Sequence, residues 1–413
     1  METKRQIPFS PPDITQAEID EVSDTLASGW ITTGPKTKRF EAELASFMGT
    51  PKAAALNSAT AALECGLRLL GVGPGDEVIT SAYTYTASAS AIVHVGATPV
   101  LADVAPGSYE MDYDSLQSFV TDRTRAVVPV DVAGRMVDFD KLRDVLDAAL
   151  PKWHPANEVQ EGIGHIPVLV DAAHSFGAVR HGLKSGQAAD LSAFSFHAVK
   201  NLTTAEGGAL TWRDGVFDDE WAYKQVMLMS LHGQDKDALA KTKVGAWEYD
   251  ILFPGWKCNM TDIMAAIGLH QLERYPELLS RRRAIIERYE AGLGDAGVSI
   301  LRHYEGDPMH GGFSSSGHLM LVRLDGRSQQ FRNALIERMG ERGVATNVHY
   351  KPLPMLTAYR NLGFDIANYP NAYAQFENEI TLPLHTLLSD DDVDYVVDVF
   401  CQCKRELEGE GLS

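Results

Sequence analysis

At 413 residues and 45% hydrophobic content, the chain is long enough to bury a large core and to divide into about two domains. Its 37 basic residues against 56 acidic ones leave a net charge of −19. That excludes a general nucleic-acid binder, which needs a basic face to displace counterions, but leaves room for local basic pockets facing an anionic substrate.

Cys65, Cys258, Cys401 and Cys403 are too few and too unevenly spaced for a disulfide framework or a zinc site, so they read as ordinary thiols. The first six residues carry no apolar signal core, and no run reaches membrane-spanning length; the expectation is a cytoplasmic protein. The first predicted element is a helix over 11–26, opened by a capping box from Thr15 to Glu18. Residues 28–35 then form a loop rich in glycine and threonine, by composition a connector. From Lys36 the chain alternates between helical stretches and short apolar runs. The strand candidates are Ala53–Leu56, Glu77–Ser81, Thr98–Asp103, Thr124–Val132, Ile166–Asp171, Leu191–Phe196 and Ala209–Trp212. Helical stretches fall between most of them, at Ala59–Leu70, Thr86–Val95 and Asp138–Leu150. Such alternation predicts an α/β fold with a mainly parallel sheet covered on both faces, and ligands at the carboxyl ends of its strands.

Residues 151–164 interrupt this rhythm and read as a surface excursion or a lid on the substrate side. The neighbouring His154 and His165 have no carboxylate or cysteine partner at ligand spacing, so no metal is expected. A long helix is predicted to run from 259 through Tyr289, with a domain boundary inside it near residue 275. Residues 1–275 then form a large domain and 276–413 a smaller α+β domain. The smaller one has strands near His318–Leu324 and Ala345–Val348 and helices near Ser328–Arg342 and Asp390–Arg405.

The chemistry centres on Lys200, which lies between the apolar run ending at Phe196 and the strand after the Gly207-Gly208 pair. A lysine is costly to bury unless its charge is partnered or removed, and condensation with an aldehyde removes it. Asp171 closes another apolar strand, where it is either a functional carboxylate or a helix N-cap. Residues 57–63 leave a strand and open a helix, so their free N–H groups suit a phosphate or merely a cap. Lys200, Asp171 and residues 57–60 all fall at strand ends, which places them on one rim.

Ser195-Phe196-His197 followed by Lys200, and then Thr204, Glu206, Gly207 and Gly208, resembles the cofactor-lysine segment of the DegT/DnrJ/EryC1/StrS family. These are pyridoxal-phosphate-dependent nucleotide-sugar aminotransferases with the type I aminotransferase fold. The resemblance runs from about Ile7 to near Val397 through several separated motifs in order. It implies that Lys200 is the catalytic lysine. Asp171, 29 residues earlier in Asp171-Ala172-Ala173-His174, then keeps the cofactor's ring nitrogen protonated, and His174 sits by its phenolic oxygen. Ser58, Ala59 and Thr60, where the family often has Ser-Gly-Thr, would hold the phosphate together with Ser195, and Tyr85 would stack on the ring.

Gly255-Trp256-Lys257-Cys258-Asn259-Met260 resembles a segment that in relatives enters the neighbouring subunit's site. The family carries this segment as Gly-Tyr-Asn-Tyr-Arg-Met or Gly-Tyr-Lys-Tyr-Asn-Met; here Lys257 replaces the asparagine of the first variant and Asn259 takes the arginine position, closer to the second. Lys257 and Asn259 are carried over as cofactor-binding, which implies a homodimer with shared active sites. Trp30, Thr32 and Thr33 are implied to face substrate. His349 and Tyr350, followed by Lys351, match the segment that closes on the sugar nucleotide, a trio suited to a diphosphate. His232 and His318 fall on family motifs without an assigned role. The implied reaction moves an amino group from glutamate to a nucleotide-linked keto sugar, with a 4-keto sugar on UDP favoured, in amino-sugar, surface-polysaccharide or glycoside biosynthesis. None of the matched motifs supplies an arginine to grip a carboxylate. The alternatives are a deoxysugar dehydratase, which carries histidine at the lysine position, and a regulatory protein with a damaged cofactor site.

Overall fold

Seen along its sheet, the computed structural model places Thr98–Ala102, Glu77–Ser81 and Thr124–Val128 side by side and parallel. It describes residues 5–236 and 248–412, so Met1 to Lys4, part of the stretch expected to lack an apolar signal core, lie outside the described residues. Parallel bridges from Val127 to Val168 and from Val130 to Asp171 join this group to Leu169–Asp171. Leu191–Ser195 follows in parallel, and Gly208–Trp212 runs antiparallel between it and Ala53–Leu56. The sheet is therefore mainly parallel, as the alternation of helices and strands requires.

Successive residues of each strand face opposite layers. Ala53, Ala55, Ile79, Val127, Phe194 and Phe196 pack into one apolar layer with Phe40, Leu44 and Phe176. Ala54, Leu56, Val78, Val128, Leu191 and Leu210 pack into the other with Leu63, Leu67 and Ile92. The strands are buried on both faces, which explains why they read as continuous apolar runs.

The capping box forms: the Thr15 N–H donates to Glu18 Oε2 at 2.8 Å and opens the helix Gln16–Ser28. Glu18 also accepts from Gln271 at 2.7 Å and from Arg274 Nε at 3.0 Å, which ties this helix to the chain some 250 residues later. Asp262 acts at a distance too, accepting from the N–H groups of Gly34 and Thr37 at 2.7 and 2.9 Å to open the helix Pro35–Met48.

The helix expected to run unbroken from 259 to 289 is two helices, Asp262–Glu273 and Tyr275–Leu293, separated at Arg274. Pro276 in the first turn of the second has no N–H to continue the ladder. Beyond it, Ser299–Ile300, Met320–Arg323 and Glu379–Leu382 make an antiparallel sheet. The helices Gln329–Glu341 and Asp390–Gly409 share a core with it through Val322, Phe331, Ile380, Val396 and Phe400. The strand expected at Ala345–Val348 shrinks to one bridge, Asn347 with Thr381. At His349 the backbone N–H turns instead to the Glu379 carboxylate at 2.8 Å, and this lifts the chain out of the ladder.

Residues 151–164 do not form a lid. Asn157 and Gln160 side chains donate to the Leu70 carbonyl at 3.1 and 2.9 Å, satisfying the end of the helix Ala59–Leu69, and Trp153 is buried. All four cysteines are free. No described helix is long and apolar enough to cross a membrane.

Candidate active site

A cleft of about 490 Å³ opens at the carboxyl ends of Ala53–Leu56, Leu169–Asp171 and Leu191–Ser195. Its walls bring together Ser58, Ala59, Thr60, Tyr85, Asp171, His174, Ser195, Lys200, His349 and Tyr350, residues spread over almost three hundred positions of sequence.

Lys200 sits in the turn that leaves Leu191–Ser195, its N–H donating to the His197 carbonyl at 2.9 Å. Its side chain opens on the cleft but is otherwise enclosed by protein. Burial lowers the ammonium to about 8, against the opposing pull of the Asp171 charge. Asp171 is itself buried, and that burial raises its pKa. Ser88 Oγ donates to Asp171 Oδ2 at 2.6 Å and the Ala173 N–H to Oδ1 at 3.2 Å, which holds the carboxylate in place and favours its ionised form.

His174 receives the Ala133 N–H at Nδ1, at 3.2 Å. Nδ1 therefore carries a lone pair, and the neutral ring bears its proton on Nε2, 3.0 Å from the Tyr350 hydroxyl. Burial, with the nearby charge of Lys200, keeps His174 neutral, far below the usual histidine range. Ala133 reaches this position with a left-handed φ of 58°. His318 lies on the other side, ring centroids 4.2 Å apart, with Nδ1 2.8 Å from Asn201 Oδ1.

At the other end, the helix Ala59–Leu69 points its N-terminus into the cleft. Ser58 Oγ accepts from the Ala61 N–H at 3.1 Å, and the first N–H groups of the helix have no intrahelical partners. Gly208 makes this end possible. A Cβ there would stand 2.4–2.6 Å from backbone atoms of Ser58 and Ala59, so only glycine lets the strand pass beneath the helix start. Tyr85 is 61% exposed, far from a core aromatic, and its ring stands 6.1 Å from that of Tyr350 across the opening.

Six predicted residues, Trp30, Thr32, Thr33, Lys257, Asn259 and Lys351, do not line this cleft. Thr33 and Asn259 are hydrogen-bonded to each other and line a separate surface pocket, and the Thr32 carbonyl accepts from the Asp262 N–H at 3.1 Å. Lys257 lines a groove on the far side of Ser58 and Thr60. Sequence reading missed Ser88, Asn201 and Phe9. Ser88 stands three residues after Tyr85, and Asn201 directly follows the lysine. Phe9, stacked on His349 at 5.7 Å and 17°, gave no sequence signal, because an N-terminal phenylalanine carries no spacing to a site 340 residues away.

These residues fit pyridoxal phosphate. A buried carboxylate faces one end of the cleft, a helix N-terminus with Ser195 the other, an amine of lowered pKa lies between them, and an exposed aromatic ring walls the opening. No arginine lines the cleft among the described residues. The family model for the DegT/DnrJ/EryC1/StrS aminotransferase family matches residues 12–401. The Bacillus subtilis spore coat polysaccharide biosynthesis protein SpsC is 38% identical over 396 residues, covering 95% of each chain. Spr1654 of Streptococcus pneumoniae, described as a sugar aminotransferase and solved in its PMP form, superposes with a TM-score of 0.93 at 53% identity, covering 97% of this chain and 100% of that one. Helicobacter pylori PseC, an aminotransferase involved in pseudoaminic acid biosynthesis, gives 0.84 at 27% identity, covering 97% and 100%. The match to the family model over residues 12–401 and the near-complete coverage of these relatives lead to one conclusion: this chain belongs to the DegT/DnrJ/EryC1/StrS aminotransferase family.

Proposed function

We propose that the protein is a pyridoxal-phosphate-dependent aminotransferase that moves an amino group from glutamate to a nucleotide-linked keto sugar, with the 4-keto sugar favoured. It would work in the cytoplasm as a homodimer with shared active sites, in amino-sugar or surface-polysaccharide biosynthesis. Each chain would comprise a large domain, 1–275, and a small one, 276–413. The observation that carries this reading is Lys200, an amine held at about 8 beside a buried carboxylate, in a cleft with no arginine in its walls among the described residues. The likeness to SpsC and Spr1654 supports a sugar acceptor.

When bound, pyridoxal phosphate supplies an aldehyde to take up the amino group and a conjugated ring to hold the electron pair released at the amine-bearing carbon. The protein's own part is binding and proton movement. Asp171, braced by Ser88, would hold the ring-nitrogen end with a negative charge. Ser58, Thr60, Ser195 and the first N–H groups of the Ala59–Leu69 helix would hold the phosphate. His174 Nε2–H would serve the ring edge as a donor, and Tyr85 would cover one face. Lys200 takes the proton from the amine-bearing carbon of the donor and returns one to the sugar carbon.

Absorption spectra of the cofactor-loaded protein test this directly. Glutamate should convert the visible band of the aldehyde form into the near-ultraviolet band of the amine form, and a keto-sugar nucleotide should reverse the change. Lys200→Ala should lower the rate of that conversion by about 10³-fold or more, the scale of a lost general base. A wild-type protein that binds the cofactor but leaves the band unchanged with glutamate and with other amino acids would overturn the reading.

A further inference from the structure

Behind the cleft wall lies a chain of hydrogen bonds that none of the roles above uses. Glu379 is buried at the start of Glu379–Leu382. Its Oε2 accepts the backbone N–H of His349 at 2.8 Å, and its Oε1 lies 2.6 Å from Thr381 Oγ1. Thr381 Oγ1 in turn lies 2.9 Å from His349 Nδ1. His349 lines the cleft, and among the described residues its Nε2 has no protein partner. The wire therefore runs from a buried carboxyl, through one hydroxyl, to an imidazole edge that meets whatever occupies the cleft.

We infer that Glu379 is a positioning residue, acting through Thr381 to decide which ring nitrogen of His349 carries the proton, and so whether His349 meets the substrate as a hydrogen-bond donor or an acceptor. A hydroxyl has one proton, so the direction of each bond dictates the next. With Glu379 ionised, Thr381 must donate to it and accept from His349 Nδ1–H, which leaves a lone pair on Nε2. With Glu379 protonated on Oε1, the acid donates to Thr381, Thr381 donates to Nδ1, and the ring proton resides on Nε2. Passing from one state to the other takes up a single proton at Glu379, while the ring stays neutral and exchanges its proton through the cleft.

The surroundings put this change within reach of neutral pH. Burial raises Glu379 to about 8, opposed by the Thr381 and His349 hydrogen bonds and the Arg332 charge. Arg332 donates to the Glu379 backbone carbonyl at 3.0 Å, not to its carboxylate. The other titratable groups facing Glu379 are Tyr83, Tyr109 and Tyr350. Burial holds the pKa of each above the usual tyrosine value, so they stay neutral across this range. His349 is itself held neutral, its pKa lowered to about 4 by burial and by Lys200.

For the proposed sugar-nucleotide substrate, on which this part rests, the consequence is specific. Below about 8 His349 offers an N–H, which a carbonyl or phosphate oxygen can accept. Above it, only a hydroxyl or an amine can pair with the exposed lone pair. His349 therefore serves as a neutral donor or acceptor, not as a cation that neutralises a diphosphate.

Nitrogen-15 NMR of the full-length protein with labelled histidine tests the wire without substrate, using His349→Gln to assign the signals. As the pH is raised from well below to well above 8, His349 Nδ1 should move upfield, from the unprotonated to the protonated range, and Nε2 the opposite way. In Glu379→Gln the amide oxygen must take the His349 backbone N–H, which turns the NH2 group to donate to Thr381 and should lock Nδ1 in the unprotonated range at every pH. Thr381→Val keeps the side-chain shape but cuts the wire, and should remove the pH dependence. A His349 tautomer that ignores pH in the wild type, or that still switches in Thr381→Val, overturns the inference. Absence of amino transfer with the switch intact overturns only the functional proposal.

Discussion

In the proposed reaction Lys200 would carry the chemistry because of where burial sets its proton affinity. Folded, it titrates at about 8, against 10.5 for an ordinary lysine. Between those values the unfolded chain binds more protons than the folded one, so this residue adds stability as pH rises from 8 to 10.5 and costs most below 8. Reactivity follows the same titration. Below about 8 the neutral-amine fraction falls roughly tenfold per pH unit. Uptake of pyridoxal phosphate by the cofactor-free protein, followed by stopped-flow absorbance, should slow accordingly; a rate unchanged two units below 8 would contradict the assignment. At this scale much was legible, because Lys200, Asp171, His174 and Ser195 sit in short local motifs. Ser88 and Asn201 were not, since one hydroxyl or amide near a motif has no signature until a carboxylate or a histidine is seen 2.6–2.8 Å away.

The site depends as much on how elements approach one another. Gly208 pairs with Leu56 on one side and Ser195 on the other, directly beneath the start of the Ala59–Leu69 helix. Gly208→Ala would force a Cβ within 2.6 Å of the Ser58 and Ala59 backbone. The result should be about 2 kcal/mol or more of lost stability, together with weaker cofactor binding from a displaced helix N-terminus. Thermal unfolding and cofactor titration would measure both; an unchanged melting temperature would show that the helix start can yield. The Gly207-Gly208 pair was visible in the sequence, but the atoms it must clear were not. Strand positions were legible because burial on both faces makes them continuous apolar runs. The break at Arg274 and the loss of the 345–348 strand were not. The apolar period continues across the break, and the Glu379 carboxylate that captures the His349 N–H lies 30 residues away.

At the scale of the whole molecule, Lys257 and Asn259 stand outside the cleft of their own chain, on the same segment whose Cys258 carbonyl accepts the Asn57 N–H at 2.8 Å. If they complete a partner's site, then Lys200→Ala and Lys257→Ala chains, each impaired alone, should recover activity when refolded together, because one site in every mixed dimer has both residues intact. Failure to complement, with mixed dimers demonstrated, would return Lys257 to an ordinary surface role. The sequence by itself determined the alternation that builds a parallel sheet, the order of the motifs and the choice of Lys200 as the candidate lysine, all of which rest on neighbours within a few positions of one another. Only the tertiary structure decided which tautomer His174 adopts, how Gly208 lets the helix start reach the cleft, and which predicted residues share it. Those outcomes depend on contacts between atoms far apart in the chain, and hydrogen-bond direction and steric clearance exist only once the chain has folded.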